Sequence, residues 1–362
     1  MSTTSSKADR SRHGILVLVV MTCCYCAHGA RAAAVELDWS PAPSLLHEAR
    51  LSAGVYLDGA IYMVGGEHRG AYTQHNVVQR FDLATQSWSY AAPMQQPVSR
   101  PEAVVFGGEV WRIAGDQPPS GSLNTVEIYN PATNTWRFGP SCQFAHTMHG
   151  VAVLGGKVYV MDPGAAGQPD HNEVYDPAVG AWSSVAGTDL LSSCVQSAAF
   201  GSRILTVDWE GHSAVFDTGT NSWSAGPALP GAVGWAGYDA YRMAGDGRWA
   251  LLLTAPYEGS NPVRAFALDM AVMTDWIELQ NVPAVPYPHA DFTLVVESHR
   301  LHMLGRDYNV YADPGPPDPM LAHEVAAISV PEPGSLVLLG MGAFGLLVYA
   351  LQARKRRAES ST

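Results

Sequence analysis

Lysine is almost missing from the body of this 362-residue chain: between residues 35 and 329 the only one is Lys157. That stretch carries 13 basic residues against 30 acidic ones, a balance of −17. A surface that grips a phosphate backbone needs clustered Lys and Arg, so nucleic acid is not an expected partner. Cysteine is scarce too. Of five in all, Cys23, Cys24 and Cys26 lie in an N-terminal apolar run, which leaves Cys142 and Cys194. The body holds no C-x-x-C pair, so neither a zinc ribbon nor a thioredoxin-like centre is indicated there; the two thiols either form one disulfide or stay separate and buried. Charged residues make up only 15%, whereas Gly (35) and Pro (25) are abundant. This balance favours many short strands joined by turns over long helices.

The apolar runs that suggest a membrane are confined to the two ends. Lys7, Arg10 and Arg12 precede an apolar stretch over 15–27, and small residues follow as far as Ala34. That order is the order of a secretory signal, so residues 1–34 are expected to be a signal peptide cut before Val35. At the other end Pro331-Glu332-Pro333 leads into the uncharged run 335–351 and then Arg354, Lys355, Arg356 and Arg357. As a helix the run spans about 25 Å, short for a bilayer. Both basic clusters flank the body on the outside of the apolar runs, which places the middle beyond the cytoplasm. Residues 330–357 resemble the PEP-CTERM sorting signal of Gram-negative and related bacteria: the Pro-Glu-Pro motif, a transmembrane helix and a basic tail. The resemblance implies processing by an exosortase, a membrane-embedded cysteine protease, and transient anchoring by the C-terminal helix. It further implies a final place at the cell surface or in the extracellular polysaccharide matrix. Residues 358–362 are a polar tail.

Between the ends the chain repeats itself. FDLATQSW, YNPATNTW, YDPAVGAW and FDTGTNSW begin at Phe81, Tyr129, Tyr175 and Phe216, and their tryptophans (Trp88, Trp136, Trp182, Trp223) are 48, 46 and 41 residues apart. A looser copy ends at Trp276, and Trp39 stands 49 residues before Trp88. In each copy the aromatic residue closes one strand, the Asp or Asn makes a tight turn, and the Trp lies on the returning strand. Two strand-like runs precede each copy, such as AVVFGG and EVWRIAG. Each unit is thus a four-stranded meander that must stack on its neighbours, which predicts an all-β propeller. The unit resembles the kelch repeat, with Val64-Gly65-Gly66 as the one full copy of its diglycine. Residues 35–329 have room for six blades better than seven. The N-terminal strand is expected to complete the last blade and close the ring.

In such a meander the loops into each first strand and the loops between second and third strands share one face. The latter loops are long, so recognition is expected there. The inner strands start on that face and bring forward His47, Arg50, Arg100, His146, His149, Trp235, Tyr238, His289 and Asp291. Arg50 and Arg100, read as beginning corresponding strands, either converge on one anion or sugar acid or pair with local carboxylates such as Glu48 and Glu102. His146 and His149, three apart, point to opposite faces of a regular strand, so they make no metal grip unless the segment bulges. Trp235 and Tyr238 offer a flat surface for sugar stacking. His68, His75, His171 and His212 read as solvent-exposed loop residues.

No catalytic motif and no metal or cofactor site is expected. The kelch resemblance admits two enzyme classes, copper radical oxidases and sialic-acid epimerases. The oxidases need two Tyr and two His as ligands, one Tyr cross-linked to a Cys, and no adjacent Tyr-His pair occurs here. The favoured reading is an exported binding module for polysaccharide or a surface protein, with a sugar-directed enzyme as the alternative.

Overall fold

The apolar runs between Gly-bearing turns fold as strands, twenty-four of them among the described residues, in six four-stranded sheets. The structure, a computed structural model, describes residues 36–68, 73–164, 169–230, 241–245, 247–254, 264–279, 282, 292–305 and 323–329. The expected signal peptide, sorting segment and polar tail lie outside the described residues. Among the described residues no helix is long and apolar enough to cross a membrane.

Five sheets use consecutive strands. Blade 1, for example, runs Ala53–Leu57, Ala60–Val64, Val78–Asp82, Ser87–Tyr90 from first to last, and its neighbouring strands pair antiparallel. The sixth sheet combines Thr293–Glu297, Arg300–Leu304 and His323–Ser329 with Glu36–Pro41 from the other end of the body. The ring therefore has six blades and is closed by the N-terminal strand, as the placement of Trp39 predicts. First strands form the inner ring: Ala53–Leu57, Glu102–Phe106, Gly150–Leu154, Val195–Phe200, Tyr241–Gly245 and Thr293–Glu297 touch one another in that cyclic order.

The turns between first and second strands are the tight ones the sequence suggests. Asp58-Gly59, Gly107-Gly108 and Gly155-Gly156 all have positive φ at both positions, the type I′ geometry whose twist matches a hairpin. Second strands are buried along most of their length, and Ala60–Val64 completely, because a neighbouring blade covers each face. Outer strands such as Ser87–Tyr90 are mostly exposed. The core is consequently divided into slabs between blades. Val55, Tyr62 and Val78 of blade 1 meet Val110 and Tyr129 of blade 2 in one of them, and Trp111, Ile113, Val160 and Trp182 share the next.

Each repeat motif makes the same local bonds. The Asp82 carboxylate accepts the Ala84 and Thr85 amides at 3.0 and 2.9 Å, and Asp217 accepts those of Gly219 and Thr220 at 2.8 and 3.1 Å. The repeated tryptophan then reaches out of its sheet. The indole N–H groups of Trp88, Trp136, Trp182 and Trp223 donate at 2.8 Å to the carbonyls of Pro43, Ala92, Pro140 and Ala186, and Trp276 donates at 3.1 Å to Pro227. Every acceptor lies in the connection that leads into the same blade.

Trp136→Phe keeps the ring packing but leaves the Ala92 carbonyl without its donor, at an expected cost of about 1–2 kcal/mol. Arg137→Ala removes only the adjacent exposed ion pair to Glu109, worth at most about 1 kcal/mol. Urea denaturation of both variants checks this; a smaller loss for Trp136→Phe than for Arg137→Ala would refute the role of the indole bond.

Candidate functional site: the axial channel and its rim

The six inner strands surround an axial cavity of about 360 Å³. Among the described residues its charged and amide side chains come from three blades, Glu102, Gln196 and Arg242, and Ser52, Ser197 and Thr293 add hydroxyls. The Gln196 side-chain amide donates to the Glu102 carboxylate at 3.1 Å, and the Met243 amide donates to the Gln196 carbonyl oxygen at 3.4 Å. Arg242 donates to the Tyr241 carbonyl at 2.9 Å, while the buried Tyr241 hydroxyl donates to the Cys194 carbonyl. Protein surrounds the Glu102 carboxyl, although the channel reaches it. Burial pushes its pKa up to about 7, against the opposing pull of Arg242 and the Gln196 hydrogen bond. A carboxyl that titrates near neutrality beside a guanidinium, inside a cavity, is the kind of group that marks a working site. A second pocket, of about 20 Å³, shares Ser52, Glu102, Gln196 and Arg242 with the channel and is also lined by Arg100, Met148 and Tyr241.

Around this mouth the entering segments are held by carboxylates placed just after the second strands. Arg50 pairs with Glu67 at 2.7 Å, Arg100 with Asp116 at 3.5 Å and His146 with Asp162 at 2.8 Å. Asp208 accepts the Ser192 amide at 2.9 Å. In blades 1 and 2 this arrangement requires glycine just before the acid. Gly66 and Gly115 have φ of 119° and 105°, and a Cβ there would meet the Arg50 and Ser99 carbonyls at 2.5 and 2.7 Å.

Arg50 and Arg100 therefore each hold a carboxylate, but the partners are Glu67 and Asp116 rather than Glu48 and Glu102. They are also one residue out of register. Arg50 bridges Glu67 as Ser99 bridges Asp116, so Arg100 corresponds to Leu51, and both of these have positive φ. Only Arg100 lines the pocket at the mouth.

His146 and His149 are both fully buried. The segment does bulge: Met148 has φ of 51°, and the two rings lie 5.4 Å apart. They do not act as a pair of ligands. His146 is bonded at Nδ1 to Asp162 and at Nε2 to Glu173, 2.8 and 2.9 Å. Burial opposes its charge, yet Asp162, Cys142 and Glu173 outweigh that and raise its pKa to about 11. Cys142, His146 and Glu173 are close enough to offer a metal three ligand atoms, but an imidazolium with both nitrogens bonded has no lone pair to give. Burial, and then the His146 charge, hold His149 neutral. His47 is half-buried at the edge of blade 1. Trp235, Tyr238, His289 and Asp291 lie outside the described residues. Of the histidines read as exposed, His212 is exposed but His75 is buried. Cys142 and Cys194 are both buried and do not form a disulfide.

Sequence reasoning missed Gln196 and Arg242 as site residues and took Glu102 only as a local partner. They stand 94 and 46 residues apart along the chain, and no spacing signals that they meet.

Comparison with known proteins agrees with this geometry. Residues 50–95 and 97–143, which contain blades 1 and 2, match the kelch motif, and residues 329–357 match the PEP-CTERM protein-sorting motif, which indicates export. F-box/kelch-repeat protein At1g67480 of Arabidopsis thaliana is 24% identical over 231 residues, 61% of this chain and 60% of that protein. Kelch-like protein 33 of Homo sapiens is 29% identical over 129 residues, 34% of this chain and 24% of that protein. The chain thus spans 60% or less of the length of these relatives. The solved structure of YjhT superposes with a TM-score of 0.55 at 14% identity, covering 74% of this chain and 93% of that one. That likeness shows the fold.

Because the folded pKa of His146 lies above its ordinary value of 6.5, its contribution to stability is complete below pH 6.5 and fades as pH rises towards 11. The stability advantage of the natural protein over His146→Gln is expected to shrink steadily between pH 6.5 and 10. Thermal melts across that range test it, and a gap that stays constant with pH would show that His146 is not a buried cation.

Proposed function

We propose that this chain is an exported binding module, held at the cell surface or in the extracellular polysaccharide matrix, which takes a neutral polar ligand at the mouth of its axial channel. The observation that carries the reading is the Glu102–Gln196–Arg242 group, charged and amide side chains that three blades bring to the cavity. A carboxyl, an amide and a guanidinium together offer donors and acceptors suited to sugar hydroxyls. The rim around them is braced by its own ion pairs, which supports a preorganised surface over one that must rearrange to bind. An excess of acid in the body disfavours polyanions and suits a neutral glycan.

The sorting motif supports a route to that location: a signal peptide over 1–34, exosortase processing near Pro331-Glu332-Pro333, and a helix that anchors the chain until the cut. Mass analysis of the native protein is expected to find Arg354, Lys355, Arg356 and Arg357 gone. A mature chain that keeps them would make the segment a permanent anchor.

The binding experiment uses polysaccharide from the producing host and the processed protein. Saturable retention, competed by defined neutral sugars, is expected, with loss in Arg242→Ala. Deprotonation of Glu102 above pH 7 gives hydroxyl donors a charged acceptor, so affinity should rise as pH climbs through 7 and lose that dependence in Glu102→Gln. Retention unaffected by both variants would move the site away from the axis. One observation favours a second reading: a carboxyl titrating at about 7 suits proton transfer at neutral pH. Turnover of a sugar acid such as sialic acid, abolished in Glu102→Gln while binding survives, would establish a sugar-directed enzyme instead.

A further inference from the structure

Three histidines gather at the root of the long loop of blade 1. The chain folds back on itself there: the His68 amide donates to the Thr73 carbonyl at 2.9 Å, the His75 amide to Gly66 at 3.0 Å, and Glu67 bridges Gln74. This short ladder sets His68 and His75 side by side, ring centres 5.2 Å apart. His47 arrives from the connection into blade 1. Its backbone is gripped on both sides by the Gln79 side chain, at 2.8 Å from its amide and 2.9 Å from its carbonyl. That grip places its ring 5.1 Å from His68 and 4.7 Å from His75.

These imidazoles are poorly employed by the fold. His75 is only 6% exposed, and neither of its ring nitrogens makes a regular hydrogen bond; the buried Nε2 of His47 makes none either. Burial and then the neighbouring His47 and His68 lower the His75 pKa to about 3, against a weaker opposing pull from the Glu48 backbone. His47 is lowered for the same reasons, burial first and then His68, with Glu48 opposing. The His47 and His75 rings are therefore neutral at pH 7, each with a lone pair. His149, also without partners, differs because it stands against the His146 cation, which repels a metal.

We propose that His47, His68 and His75 form a binding site for a borderline divalent cation of the Zn²⁺ class, with a fourth position open to solvent on the loop face. A Zn–N distance of about 2.0–2.1 Å puts each ring centre roughly 3.2 Å from the ion, so three tetrahedral imidazoles have centres about 5 Å apart. The observed separations of 4.7, 5.1 and 5.2 Å bracket that value. Two of the pairs stand edge to face, at 75° and 87°, so the rings close on an ion by turning about their Cβ–Cγ bonds. No regular hydrogen bond holds His75 against that turn. His68, whose side chain is 41% exposed, supplies the open side, and Glu48 lies 3.9 Å from its Nδ1. That is too long for a hydrogen bond, but a carboxylate on this side favours the proton on Nδ1 and leaves Nε2 for the ion. Two other donor sets serve as controls. Cys142–His146–Glu173 is closed by its own bonds, and in Asp208–Glu210–His212 the Asp208 oxygens already accept the Ser192, Glu210 and His212 amides.

The test is calorimetric titration of the full chain, purified without a histidine tag and stripped with chelator, using Zn²⁺ alone and then Co²⁺ for its tetrahedral absorption bands. One Zn²⁺ per chain is expected, with a rise in Tm. His68→Ala changes an exposed side chain, so folding is not at stake; it should weaken binding by at least about tenfold and abolish the Tm rise. His47→Ala should do the same, whereas His212→Ala and Cys142→Ser should leave binding unchanged. Absence of Zn²⁺ binding, binding that survives His68→Ala, or loss of binding in either control variant would overturn the site.

Discussion

The geometry of the ring depends on one hydrogen bond repeated in five of its six blades, from a tryptophan indole N–H at the outer strand to a carbonyl in the connection entering the same blade; the Trp39 indole of the sixth makes none. That connection must cross from the rim of one sheet to the axis of the next, and it has no sheet of its own to satisfy its backbone. The tryptophan supplies the missing donor and lays its ring over the junction. A second clamp works nearer the axis. The Gln79 side chain accepts the Leu46 and His47 amides, Glu127 accepts those of Gln95 and Gln96, and Glu173 accepts those of Gln143 and Phe144. Fixed at two points, these three connections each deliver an inner strand in one register, and the channel inherits its shape from that.

The second clamp shows how one structural task is met with different charges. In blade 1 it is neutral. In blade 2 the Glu127 charge is fully buried and is answered by the equally buried Arg112 at 2.6 Å, from the neighbouring strand. In blade 3 the answering charge is His146, carried by the connection itself. Two buried charges recover their desolvation cost only with good geometry and further hydrogen bonds. Both glutamates have those bonds, from amides that need an acceptor in any case. The fold thus fixes the need for an acceptor, not for a charge, and this is why the motif can drift from Gln to Glu between blades while the backbone stays the same.

The architecture was legible because it is repetitive. The tryptophan spacing, the Asp and Asn turns and the placement of Trp39 are each local patterns, and they led to six blades and to the strand that closes them. The site was legible only in part, because axial residues meet through the ring and not through the chain. Arg50 and Arg100 looked equivalent from their neighbours, but a single residue of register separates them, and in a strand that distance exchanges faces. The left-handed turn at Met148 defeated the strand periodicity that sent His146 and His149 apart. His75 read as a loop residue and is buried, because its loop folds back over His47. Nothing in the immediate surroundings of Gln196 or Arg242 sets them apart; only the closed ring brings them to Glu102.

The distribution of charge ties the interior to the kind of partner the exterior accepts. Arg80, Arg137, Arg248 and Arg264 all lie within 3 Å of a carboxylate of their own blade, as does Lys157. On the rim Arg50 and Arg100 are engaged in the same way, and Arg112 is sealed inside. These basic residues thus act as internal fasteners, and between residues 35 and 329, where acids outnumber bases by 17, the acids give the exterior its sign. Such a surface repels anionic polymers at low salt and concentrates cations near it. Arg242 is different: it faces the channel, across from Glu102, where a carboxyl near its titration point can be neutral or charged. The axis is therefore a place where this acidic ring can change its charge, and Glu102, Gln196 and Arg242 meet there from three different blades.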